Sequence, residues 1–111
     1  MISSRKNIPL QIDKGAVCRI TVGFPAALDV DVITVSSDVV AGASRDVVAA
    51  FAVESVNSSE NSVTLKLTAA QTATFGTTAE YLYDVWIVDG AGDKSRLYGG
   101  TVTVIEQFTT P

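Results

Sequence analysis

Tyr81–Ile105 reads YLYDVWIVDGAGDKSRLYGGTVTVI. Two runs rich in Val, Ile and Tyr flank Asp89-Gly90-Ala91-Gly92-Asp93. Asp and Gly supply the backbone angles that tight hairpin turns require. The stretch therefore predicts a long β-hairpin, with strands over Glu80–Asp89 and Lys94–Glu106 and a bulge at Gly99-Gly100. Immediately upstream, residues 63–75 read VTLKLTAAQTATF. Val63, Leu65 and Leu67 alternate with Thr64 and Lys66, the period-two signature of a half-buried strand. Thr68 followed three residues later by Gln71 is a capping-box pattern, so one helical turn is expected near 69–74. A helix that short does not stand alone and fits the corner between two sheets.

Working outward, the remaining chain supplies further strands. Ile8–Ile12 alternates, and Pro9, which has no N–H, assigns it to a sheet edge. Ala16–Phe24 places Ala16, Cys18, Ile20, Val22 and Phe24 on one face, and Phe24-Pro25 ends it. Val30–Val40 changes parity part-way, which predicts a bulge or a strand that changes partner sheets. Val47–Val56 is a fourth strand, with Phe51 and Val53 expected in the core, and Asn57–Asn61 (NSSEN) is a polar turn. About seven short strands with turn signals at roughly 8–12-residue spacing predict an all-β fold. The architecture expected is an immunoglobulin-like antiparallel sandwich, with a small closed barrel as the alternative. Residues 1–111 make one domain, with an N-terminal arm over 1–7 and a C-terminal tail over 106–111.

Composition narrows the function. Eight Lys and Arg against twelve Asp and Glu give a net charge of −4. Nucleic-acid binding depends on clustered cations, and the Arg5-Lys6 pair is too small a cluster. No apolar run approaches the ~20 residues that span a bilayer, and the first fifteen residues lack the apolar core of a secretory leader. No membrane or nucleic-acid partner is expected. Cys18 is the sole cysteine, so an intrachain disulfide is impossible, and it reads as a small core hydrophobe. The chain has no histidine, so neither Cys18 nor any hydroxyl has the usual activating base. Asp29 and Asp31 share one side of a strand, and Asp38 follows; they read as solvated carboxylates, as do Asp89 and Asp93 in their turn. Gly90-Ala91-Gly92 precedes a strand, so it is no dinucleotide fingerprint. The expectation is a protein without catalytic residues, metal site or cofactor.

The aromatic residues hold more information. One face of Tyr81–Asp89 carries Tyr81, Tyr83, Val85 and Ile87, and the other carries Leu82, Asp84, Trp86 and Val88. Parity leaves two arrangements open. Trp86 lies in the core with the tyrosines outside, or the tyrosines anchor the core, one of them as a tyrosine corner, and Leu82, Trp86 and Val88 form a patch. Leu82, Trp86, Val88 and Phe108, in the tail, are the candidate protein–protein contacts.

Residues 67–104 resemble the C-terminal half of small bacteriophage virion domains, the immunoglobulin-like N-terminal domains of baseplate upper proteins and tail-fibre attachment proteins. The matching elements are Leu67-Thr68 with Gln71-Thr72, Tyr81-Leu82-Tyr83-Asp84, Asp89–Gly92, and Arg96-Leu97 with Gly100–Val104. The resemblance implies a structural protein of the virion, assembled in the host cytoplasm. Its expected place is a tail, baseplate or fibre-attachment module, associating with itself and with other virion proteins. A capsid decoration protein is the alternative within that class, and a host-surface glycan-binding module is the alternative outside it.

Overall fold

The computed structural model describes residues 6–77 and 79–106. In chain order the elements are β1 (Lys6–Asn7), β2 (Leu10–Asp13), β3 (Cys18–Gly23), β4 (Thr34–Ala41), β5 (Val47–Ala50), β6 (Ala52–Asn57), β7 (Ser62–Leu67), α1 (Ala69–Thr72), β8 (Tyr81–Val88) and β9 (Lys94–Ile105). One sheet runs β1-β9-β8-β4-β5, with β2 continuing β1 along β9; the other runs β3-β7-β6. The two sheets stack as an immunoglobulin-like β-sandwich, in which β3-β7-β6 faces the hairpin β8-β9 and its neighbour β4. Alternation in β7 and β8 builds the interior: Val63, Leu65 and Leu67 meet Tyr83, Val85 and Ile87, with Ile12, Val22, Val39 and Phe75 filling between them.

Three expectations about the strands are corrected. The larger sheet is mixed rather than antiparallel, because β1 and β2 run parallel to β9, with Leu10 beside Val102 and Ile12 beside Val104. Pro9 separates β1 from β2 at this edge, where its missing N–H costs no ladder bond. Lys6 and Asn7, read as arm from sequence, lie against Tyr98 and Gly99. Next, the single strand expected over 47–56 is two strands in different sheets. The crossing residue is Phe51, whose ring is buried and whose N–H donates to Ser37 O at 2.9 Å. Val53, expected in the core, is 47% exposed on the edge strand β6.

Finally, the parity change in residues 30–40 falls where a loop ends, since β4 begins only at Thr34, and the register shift in this segment lies further on, between Val39 and Val40 against β5. Asp29 O accepts from the N–H groups of Val32 and Ile33. The Asn61 side chain holds this loop: its Nδ2 donates to the carbonyls of Phe24 (3.0 Å), Pro25 (3.0 Å) and Leu28 (2.8 Å), and its Oδ1 accepts from Val30 N at 3.1 Å.

The corner helix forms as expected. Thr68 Oγ1 accepts from Gln71 N at 3.1 Å, and Gln71 Oε1 accepts from Thr68 N at 2.8 Å, completing the capping box. Thr72 is fully buried; its Oγ1 accepts from Gly15 N at 3.1 Å and donates to Ala16 O at 2.7 Å, which ties the helix to the turn before β3.

Candidate interaction surface

Two tyrosines decide which face of β8 looks outward. Tyr81 Oη accepts from Gly76 N at 2.7 Å, five residues upstream, and its ring lies 5.1 Å from that of Phe75. This is a tyrosine corner at the start of the strand. Tyr83 Oη donates to Ile8 O at 2.6 Å, and its ring meets Tyr98 edge-on at 6.4 Å. Burial pushes the Tyr83 phenol up, and burial with Tyr83 alongside pushes Tyr98 up to about 12. The arrangement with Trp86 in the core is thereby excluded. Leu82, Asp84, Trp86 and Val88 lie on the outer face, and Trp86 is 39% exposed.

Cross-strand register assembles the rest of that face. Asp84 stands opposite Asp38, Leu82 opposite Val40 and Trp86 opposite Ser36 on β4. Across β9, Asp84 faces Gly99 and Trp86 faces Arg96. The register steps between those two pairs, leaving Leu97 as the bulged residue; the bulge expected at Gly99-Gly100 lies there instead. The two glycines answer a different need. A Cβ on Gly99 would strike the Arg96 guanidinium and come within 2.5 Å of Tyr83 O, and one on Gly100 would come within 2.5 Å of Ile8 O.

The result is a depression of about 350 Å³ lined by Asp38, Asp84, Arg45, Arg96, Val40 and Leu82, among others. Trp86 stands at its margin and donates from Nε1 to Asp84 Oδ2 at 2.9 Å. Asp38 and Asp84 are carboxylates directly opposite each other, an unfavourable pair in isolation. Yet neither they nor Arg45 nor Arg96 take part in an ion pair among the described residues, where both ion pairs converge on Glu54, from Arg19 at 2.8 Å and Lys66 at 3.5 Å. Arg96 Nε is buried without a hydrogen-bond partner. Arg45 holds a left-handed backbone at φ 64°, a conformation that costs a bulky side chain about 1 kcal/mol.

The other candidates have structural roles. Asp29 Oδ1 accepts from Asp31 N at 2.9 Å, and Asp31 Oδ1 accepts from Ser58 Oγ at 2.8 Å. Asp89 Oδ1 accepts from the N–H groups of Ala91 and Asp93, shaping the hairpin loop with Gly92 at φ 86°. Among the described residues no group of three or more His, Cys, Asp or Glu side chains is placed to hold a metal ion. A chelator is accordingly expected to leave the melting temperature unchanged; a fall with EDTA in a thermal scan would contradict the assignment of these aspartates. Cys18 is half-buried opposite Leu67, and burial first, then Asp13, pushes its thiol up, which disfavours the reactive thiolate. No described helix is long and apolar enough to cross a membrane.

Of the four contact candidates, Leu82, Trp86 and Val88 share the outer face of β8, and Phe108 lies outside the described residues. Sequence reading did not bring Asp38 or Arg45 to this face. The β8–β9 hairpin was legible from its turn, but the pairing of β4 with β8, and the turn after β4 that carries Arg45, join segments far apart in the chain. No protein-family model matches the chain, and no curated protein matches it in sequence.

Proposed function

We propose that the chain is a structural protein of a bacteriophage virion, a tail, baseplate or fibre-attachment module that works by self-association and packing against other virion proteins. The observation that carries the assembly part is Trp86, a large aromatic left 39% exposed on a sheet face, with Leu82 and Val88 on the same face. Aromatic residues are enriched where proteins meet, and one buried at the centre of an interface contributes heavily to it. The virion part rests on the resemblance of residues 67–104. A decoration protein on a capsid would use the same kind of face.

Trp86→Ala tests the assembly part. Stability to denaturant should change by less than about 1 kcal/mol, as for an exposed site. Association, followed by light scattering, should weaken by about 30-fold or more, the size of a ~2 kcal/mol contact. Unchanged melting with unchanged association would rule out the face. The virion part is tested by mass spectrometry of purified phage particles from a host carrying the gene, where absence of the chain would end it.

A glycan-binding reading draws on the same residues, since Trp86 stands beside Asp84 and across from Arg96. It requires glycan-array binding that disappears in Trp86→Ala, and an array without signal removes it.

A further inference from the structure

The depression on the outer sheet face holds two carboxylates and two guanidinium groups, none of them in an ion pair with another described residue. The depression is thus locally neutral on a chain whose net charge is −4. It carries both signs side by side, with Asp38 and Asp84 on β4 and β8, and Arg96 on β9. A patch with adjacent, equal and opposite charges is complementary to a copy of itself turned about a two-fold axis. From this we infer that two copies of the chain pair through this face, each presenting Arg96 and Arg45 to the partner's Asp84 and Asp38 around the Trp86 and Leu82 side chains. The inference rests on the self-association part of the function proposed above and specifies its geometry.

Three further observations favour a second copy over an unrelated partner. The like-charge opposition of Asp38 and Asp84 is unfavourable within one chain and is relieved when a guanidinium from outside approaches both. The remaining surface carries the whole net charge, so like-charge repulsion disfavours copies meeting by other faces and leaves the neutral one. Size is also sufficient. At strand spacings of ~4.8 Å the outer face of β4, β5, β8 and β9 offers roughly 500 Å² per copy, or about 1,000 Å² for a pair, the lower bound of specific interfaces. Association is accordingly expected in the micromolar range, where symmetric placement in a larger assembly would reinforce it.

The symmetry makes a sharp test. Arg45→Glu/Arg96→Glu gives an acidic face, and Asp38→Lys/Asp84→Lys gives a basic one. Sedimentation of the unaltered chain between about 1 μM and 1 mM should show a monomer–dimer equilibrium. Each variant alone should stay monomeric, and an equimolar mixture of the two should form a heterodimer. Circular dichroism establishes that each variant is folded. Should either fail to fold, the unaltered chain still decides, because Trp86 is the only tryptophan and reports directly on this face. Its quenching by acrylamide should fall several-fold as the dimer forms. A chain that stays monomeric throughout overturns both this inference and self-association in solution. Dimers that survive in each variant alone, or that form without protecting Trp86, overturn the inference while leaving self-association through another surface intact. Absence from phage particles bears only on the virion reading.

Discussion

Asn61→Ala should lower stability by about 2–4 kcal/mol, measured by urea denaturation with an unchanged m-value. The Asn61 amide is the hub of the loop between β3 and β4, binding the carbonyls of Phe24, Pro25 and Leu28 and the N–H of Val30. Val30 is 4% exposed, so water cannot replace the lost acceptor without opening the loop. Each buried polar group left unsatisfied costs about 1–3 kcal/mol. The backbone adds to this. Asn61 has φ 52°, a left-handed conformation that Asn tolerates and that costs alanine about 1 kcal/mol. Asn61→Gly separates the two contributions, because glycine accepts the backbone angle and lacks the amide. It should recover about 1 kcal/mol relative to alanine and no more. A loss under about 0.5 kcal/mol in Asn61→Ala, the range of an ordinary surface change, would show that the amide does not hold the loop.

Gly100→Ala is the second large effect, with an expected loss of about 2–3 kcal/mol, the upper range for overpacking. The added methyl would lie 2.5 Å from Ile8 O and 2.8 Å from Asn7 Oδ1. Ile8 O is also the acceptor for Tyr83 Oη, so moving it aside stretches that bond. The segment affected is the parallel edge, β1 and β2, which is anchored in the core by the fully buried Ile12. Hydrogen exchange should therefore quicken first at Ile8, whose N–H donates to Gly99 O, and then at Ile12, while β7 and the β4–β8 ladder keep their protection. Uniform acceleration across both sheets, or none, would contradict a local wedge. Gly90 makes a useful control: a Cβ there meets nothing within 4 Å, and alanine should be tolerated.

What could be read before folding was local. The alternation of Val63, Leu65 and Leu67, the Thr68–Gln71 capping box, the Asp89–Asp93 turn and the edge role of Pro9 all arise from contacts within a few residues. Each reappears in the structure because the same short-range chemistry operates in any context. The places where reading failed are those where the partner lies far along the chain. Val47–Val56 looks like one strand because its composition is uniformly β-forming, and only Phe51, drawn into the core between the sheets, breaks it in two. Asn57–Asn61 looks like a solvated turn, and nothing nearby shows that Asn61 closes a loop 31 residues upstream at Val30. Gly99-Gly100 looks like a bulge, whereas the glycines are required by Tyr83, Arg96 and the Ile8 carbonyl passing close by.

The amino-acid order alone therefore determined that the chain is all-β, where the corner helix begins, and that Tyr81 and Tyr83 oppose Trp86 across the strand. Alternation sorts side chains into two sets but is silent about which set faces the interior. That choice belonged to the tertiary structure. Phe75, the Gly76 N–H and the Ile8 carbonyl hold the two tyrosines inward, and the fixed period of the pleat then turns Trp86 out. Strand pairing likewise brought Asp38, Asp84 and Arg96 to one depression, which Arg45 reaches from the turn after β4, because cross-strand neighbours are set by register.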